Sequence, residues 1–145
     1  MKKSKTTQYG FTLLEMLVVL VIIGLLAGLV GPRLFTKVDS SKVKTAQTQI
    51  KMIKGALETL RLDIARFPTA QEGLDSLYRK PKEKAISKLW QGPYLDEQVP
   101  LDPWGNAYLY SLPGRDGQPM ALYSLGADGK PGGEGFNADI GHLQP

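Results

Sequence analysis

The chain has no cysteine, which excludes a disulfide framework, a thiolate nucleophile and any cysteine-ligated metal centre. The redox state of its compartment is left open. There is one histidine, His142. With no cysteine and no paired base it cannot build the usual nucleophile–base or zinc arrangements, and its place in the sequence reads as a surface histidine. No glycine pattern of the P-loop or dinucleotide type precedes a helix in a strand–helix unit, and no internal repeat is visible. Excess charge is also lacking. The net charge of +4 owes three lysines to the first ten residues, and without Lys2, Lys3 and Lys5 there are 15 basic against 14 acidic residues. Such a balance gives no electrostatic reason to expect nucleic acid as a partner. An enzyme is not expected.

What the chain does have is a long apolar run. Gly10 to Gly31 reads GFTLLEMLVVLVIIGLLAGLVG, with Glu15 as its one charged residue. A bilayer-spanning helix needs roughly 20 apolar residues. A carboxylate at mid-depth in such a helix costs roughly 2.5–3.5 kcal/mol, and less near the interface. Glu15 therefore calls for a cation inside the membrane. Cleavage after Gly10 would create one, the amino group of Phe11, on the same chain or on a neighbouring copy. A secretory signal also has a basic start and an apolar stretch, but here the apolar region opens with a carboxylate and no good small-residue cleavage motif follows. An uncut signal anchor is the other bland reading. Charge does not settle the topology, because Arg33, Lys37, Lys42 and Lys44 lie within about 15 residues after the span, as the three lysines lie before it.

The segment resembles the class III leader and N-terminal helix of type IV pilins and pseudopilins, on Gly10, Phe11, Thr12, Glu15 and the apolar run. The resemblance implies cleavage by a prepilin peptidase between Gly10 and Phe11 on the cytoplasmic side, methylation of the exposed Phe11, and retention of the helix. It divides the chain into a leader at 1–10, a transmembrane part at 11–31 and a periplasmic domain at 32–145.

Pro32 would end or kink an ordinary helix. The sequence beyond it nevertheless stays helical in pattern: Val43, Ala46, Ile50, Ile53, Leu57, Leu60 and Ile64 recur at alternating spacings of 3 and 4. This is an apolar stripe at helical period. Periodicity alone fits a coiled coil equally well, but the mixed segment that follows needs a surface to pack on. The pattern predicts one helix from Phe11 to about Ala65, its second half covered by a small sheet. Phe67-Pro68 breaks it. Thr69 to Glu72 has the form of a capping box opening a short helix anchored by Leu74 and Leu77 and ended by Lys80-Pro81. Lys82 to Pro103 reads as irregular. The basic run from Arg79 to Lys88 (Arg79, Lys80, Lys82, Lys84, Lys88) reads as a solvated loop, with a neighbouring subunit's carboxylates as the alternative. Ala107 to Leu112 and Met120 to Leu125 read as an antiparallel hairpin about a Pro113–Gly117 turn. Beyond Gly126 the chain is too rich in glycine for regular structure.

That last stretch, GADGKPGGEGFNADIG, holds Asp128, Glu134, Asn137 and Asp139. Hard cations such as calcium take six to eight oxygens from carboxylates, amides and main-chain carbonyls. The spacing is not that of an EF-hand, and a solvated turn fits the composition too. Trp104, in Asp102-Pro103-Trp104-Gly105-Asn106, reads as a large aromatic plugging a tight turn into the core.

Across most of its length the chain is similar to the major pseudopilins of type II secretion systems. The similarity rests on Arg61-Leu62-Asp63, Phe67-Pro68-Thr69, Gly73-Leu74, Gly92-Pro93-Tyr94-Leu95, Asp102 to Asn106, Tyr108, Tyr110, Ser124 to Gly129 and Asn137 to Ile140. It implies an α+β fold: a long N-terminal helix, half of it transmembrane, packed against a small antiparallel sheet, with a C-terminal calcium-binding loop. Carried over by position, the calcium ligands are Asp128 and Asp139 by side chain and Leu125 by carbonyl. Lys130 and Asn137 are less firmly placed, because the length between the two aspartates varies in that family.

The function implied is structural: a subunit of a periplasmic filament that polymerises after cleavage and methylation and drives export of folded proteins. The implied partners are further copies of the chain, minor pseudopilins, the prepilin peptidase and an inner-membrane secretion platform, with the inner membrane as anchor. Glu15 would offset the Phe11 amine of an adjacent subunit. Three alternatives stand beside this: a type IV pilin, a minor pseudopilin, and a membrane-anchored calcium-dependent binding module.

Overall fold

The computed structural model describes residues 10–143, without the side chains of residues 32–35. The leader expected at 1–10 therefore falls, up to Tyr9, outside the described residues. Two units are distinguished, one up to Val38 and one from Asp39.

The single helix expected from the stripe is present as α1, Leu13–Ile64, and it is continuous across Pro32. Its first part contains a window of mean hydropathy 2.9, none of it buried. Apolar side chains from Phe11 to Val30 are exposed. From Asp39 onward the helix is amphipathic. Ala46, Ile50, Ile53, Leu57, Leu60 and Ile64 are all buried, as the spacing predicts, and Val43 packs beside them. Arg61 lies in the last turn, where a cation favours the helix C-terminus. Ala65, at φ 60°, turns the chain out of the helix before Phe67-Pro68.

The predicted box is formed. Thr69 N–H donates to Glu72 Oε2 at 2.7 Å, and Glu72 N–H donates to Thr69 Oγ1 at 3.3 Å. It caps a turn closed by Gly73 N–H on the Thr69 carbonyl, after which Leu74–Leu77 forms a single 3-10 turn. Glu72 also takes a bidentate pair from Arg66 at 2.7 and 2.9 Å.

Lys82 to Pro103 is not wholly irregular, as the sequence suggested. A short helix, α2, runs Lys84–Leu89 and buries Ile86. One apolar anchor in six residues is too little to show as a period, and prolines nearby obscured it.

The hairpin is β1, Leu109–Ser111, and β2, Ala121–Ser124, paired antiparallel with Tyr110 opposite Leu122. A third strand, β3, Ile140–His142, pairs antiparallel with β2 and completes the order β1-β2-β3. This corrects the expectation that nothing beyond Gly126 is regular. Gly141 explains the oversight, because the glycine that looks like a strand breaker is what the packing needs. A Cβ there would stand 2.4 Å from the Leu122 carbonyl and 3.1 Å from Ile50 Cδ1, so sheet and helix approach too closely for a side chain.

Leu122 on β2 and Ile140 on β3 meet the helix stripe in one core. Tyrosine hydroxyls fasten its rim. Tyr108 donates to Gln49 Oε1, Tyr94 to Asp63 Oδ2 and Tyr110 to the Pro68 carbonyl, each at 2.6 Å. Burial pushes the Tyr108 and Tyr110 phenols up to about 12. Trp104 packs against the core, as its turn implied. His142 is not a free surface residue. It sits half-buried on β3 with Nε2 3.3 Å from Lys54 Nζ, and burial followed by the Lys54 charge pushes its pKa down.

Candidate functional site

Two regions carry the residues singled out by sequence. In the first, Gly10 and Phe11 lie exposed immediately before α1, Phe11 at 84 %. Glu15 belongs to the first turn of that helix. Its Oε2 accepts from Thr12 N–H at 2.8 Å and from Thr12 Oγ1 at 3.0 Å, while Glu15 N–H donates to Thr12 Oγ1 at 3.2 Å. Glu15 thus closes a capping box of its own, satisfying an orphan donor at the helix start. Sequence reasoning assigned Glu15 a charge role and missed this one. The signal was available, because Thr12-Leu13-Leu14-Glu15 has the same spacing as Thr69 to Glu72.

The second region is the glycine-rich loop between β2 and β3. Three main-chain features fold it back on itself. Ala127 N–H donates to the Phe136 carbonyl at 2.9 Å, and Asp139 N–H to the Gly132 carbonyl at 3.2 Å. Gly126, at φ 67°, lies so close to the returning chain that a Cβ would stand 2.7 Å from the Ala138 carbonyl and 3.0 Å from the Asn137 carbonyl. The loop therefore brings the Leu125–Gly126 segment against Asn137 and Ala138.

Its carboxylates are placed differently. Asp128 is exposed, with Oδ1 accepting from Lys130 N–H at 3.0 Å. Lys130 and Asn137 are exposed as well. Asp139 is half-buried: Oδ2 accepts from Gly132 N–H at 3.0 Å, whereas Oδ1 is buried and has no hydrogen-bond partner. A buried carboxylate oxygen without a donor is costly, and each such atom calls for an explanation. A cation would supply one. Among the described residues no cluster of three or more His, Cys, Asp or Glu could hold a metal, and no hydrogen bond joins Asp128 to Asp139. A cation here would take its remaining oxygens from the Asn137 amide and main-chain carbonyls, which is the donor chemistry calcium accepts.

At the root of the loop lies Asp102, 4 % exposed, which sequence reading placed only in a turn. Its Oδ1 accepts from Trp104 N–H at 3.0 Å and Asn106 N–H at 2.8 Å, and its Oδ2 from the Ser124 hydroxyl.

Comparison with known proteins matches both regions. A family profile described as type II secretion system protein G covers residues 33–143, and one described as the prokaryotic N-terminal methylation motif covers residues 5–31. The type II secretion system core protein G of Pseudomonas aeruginosa is 47 % identical over 135 residues, 93 % of this chain and 94 % of that protein. Its counterpart from Vibrio cholerae is 42 % identical over 142 residues, 98 % of this chain and 95 % of that one. The crystal structure of the major pseudopilin from the type 2 secretion system of enterohaemorrhagic Escherichia coli superposes with a TM-score of 0.62 at 30 % identity. It covers 76 % of this chain and 93 % of the other.

Proposed function

Because this chain belongs to the type II secretion system protein G family and is a structural subunit of the pseudopilus, we propose a specific route by which it is stored and assembled. The subunit is cut between Gly10 and Phe11, methylated at Phe11, and held in the inner membrane by the first part of α1, with the domain from Asp39 onward in the periplasm. The observation that carries this reading is the run of exposed apolar side chains from Phe11 to Val30, in which Glu15 is the one charged residue. A surface of that length is stable in lipid or against other helices, and not in water.

Polymerisation draws the helices out of lipid into a bundle of copies. Glu15 then faces the Phe11 amine of an adjacent subunit, which removes two unpaired charges from an apolar setting together. Repeated addition pushes folded proteins outward. Minor pseudopilins, the prepilin peptidase and an inner-membrane platform are the partners of this route.

The loop between β2 and β3 is read as a calcium site, supported by the donorless Asp139 Oδ1. Asp128 and Asp139 would hold the ion by side chain and Leu125 by carbonyl, with Asn137 and the Lys130 carbonyl as further donors. The ion supplies positive charge to carboxylates that otherwise have only N–H donors or none. The chain's own contribution is to bring these oxygens together through the Ala127–Phe136 and Asp139–Gly132 main-chain bonds.

The decisive experiment for storage and assembly is the intact mass of the protein purified from its native membranes. It should correspond to a chain beginning at Phe11 with one added methyl group. A native N-terminus anywhere else overturns the route.

A further inference from the structure

We propose that Asp102 is a positioning residue for the cation loop, acting through Ser124 to aim the Leu125 carbonyl; the inference rests on the calcium reading above. Asp102 and Ser124 are both buried, at 4 % and 0 % exposure. The Asp102 carboxylate is occupied by three donors, two N–H groups on Oδ1 and the Ser124 hydroxyl on Oδ2. It is therefore a support and not a ligand.

The chain of effects follows from hydrogen-bond inventory. A serine hydroxyl has one proton to donate and lone pairs to accept with. Its proton is committed to the Asp102 carboxylate, which as an anion can only accept. A lone pair of Ser124 Oγ is then left to face Gly126 N–H, which donates to it at 3.2 Å. That N–H belongs to the peptide group whose carbonyl is Leu125's. The bond is trans, and in a planar trans peptide N–H and C=O point in opposite directions. Fixing one fixes the other. Holding Gly126 N–H on the core side turns the Leu125 carbonyl the opposite way.

The same turn touches the loop a second time. The Asn106 side chain lies 3.6 Å from where a Cβ on Gly129 would stand, and Asn106 N–H is itself one of the donors to Asp102. The Asp102 turn and the cation loop are thus built as one block. Carboxylates and hydroxyls that orient ligands in this way change metal affinity by roughly 10–100-fold when removed.

The test uses the full-length protein in detergent micelles, stripped of divalent ions and titrated with calcium by calorimetry. Four forms are compared: wild type, Ser124→Ala, Asp102→Asn and Tyr108→Phe. Asp102→Asn is nearly isosteric and serves if Ser124→Ala does not fold. Tyr108→Phe removes a hydrogen bond to Gln49 on α1 while leaving every hydrogen bond to the Asp102 carboxylate in place, and so reports the effect of lost stability. Ser124→Ala and Asp102→Asn should weaken calcium binding by about 10-fold or more, and Tyr108→Phe should lower the melting temperature with the calcium Kd unchanged. In the calcium-free protein the Gly126 amide should exchange faster in Ser124→Ala than in wild type. A folded Ser124→Ala or Asp102→Asn with the wild-type Kd overturns the positioning role and leaves the calcium site standing. Equal weakening by Tyr108→Phe overturns it too, because affinity would then merely follow stability. A wild type that binds no calcium removes the calcium reading, and this inference with it.

Discussion

Asp139 is bound to Gly132 twice: its main-chain N–H donates to the Gly132 carbonyl at 3.2 Å, and its Oδ2 accepts from Gly132 N–H at 3.0 Å. The residue is held rigidly while its other oxygen, Oδ1, is buried with no donor. An ion binding only the folded chain stabilises it by RT ln(1 + [L]/Kd), about 2.7 kcal/mol at a hundredfold excess over Kd. Chelation should therefore lower the melting temperature of the full-length protein in detergent. Asp128→Ala and Asp139→Ala should each abolish the response to added calcium. A melting curve indifferent to chelator in the wild type would return the loop to a solvated turn.

Glu15 closes a cap with Thr12 and is proposed to serve assembly through its charge, and substitution can separate the two. Glu15→Leu removes both the charge and the cap; Glu15→Gln removes the charge but keeps an oxygen able to accept from Thr12 N–H. If the charge serves assembly, neither variant should form filaments, while both should insert in the membrane at least as well as wild type. Filament formation by Glu15→Gln, counted by electron microscopy after overproduction, would assign the residue to capping alone.

The pair formed by Arg66 and Glu72 predicts a pH dependence. The Arg66 guanidinium, hydrogen-bonded at 2.7 and 2.9 Å, holds the Glu72 carboxyl down at about 2, from an ordinary 4.5. A carboxylate depressed in the folded state contributes stability that is fully present above the unfolded value. That contribution is lost as pH falls from about 4.5 towards 2. Melting curves of wild type and Glu72→Gln, taken in chelator, should differ at pH 7 and converge near pH 2. A gap that stays constant with pH would mean that the ion pair contributes nothing.

Leu57 and Leu62 lie on opposite faces of α1, one fully buried and the other 83 % exposed. Leu57→Ala should cost about 2–5 kcal/mol in denaturant unfolding, and Leu62→Ala within about 0.5 kcal/mol of nothing. Equal losses would contradict the core assigned to the stripe.

What could be read from sequence was whatever is written locally. The 3-4 spacing from Val43 to Ile64 announced the helix and its buried face, Thr69 to Glu72 announced its box, and the alternation in Ala107 to Leu112 announced a strand. What escaped depends on residues far apart. Ile140-Gly141-His142 has one buried side chain, and its pairing with Leu122 to Ser124 leaves no period to count. Asp102 and Ser124 are 22 positions apart, and each alone looks like an ordinary turn or strand residue. His142 looked peripheral because its partner, Lys54, lies 88 positions away. The loop's carboxylates were visible, but which of their oxygens lacked a donor was not.

The chain writes one four-residue spacing twice, Thr12 to Glu15 and Thr69 to Glu72, and the hydrogen bonds nearly coincide. Glu15 N–H reaches its threonine hydroxyl at 3.2 Å and Glu72 N–H at 3.3 Å. If the first box lies at the bilayer and the second in an aqueous compartment, equal geometry meets unequal surroundings. Beside water, an amide that loses its threonine exchanges one partner for another at modest net change. Within hydrocarbon no substitute is at hand. The two glutamate amides are then a pair of reporters alike in their threonine acceptor and set apart by their solvent. Once the helix leaves lipid for a bundle of its own kind, the first would register the transfer while the second stays still.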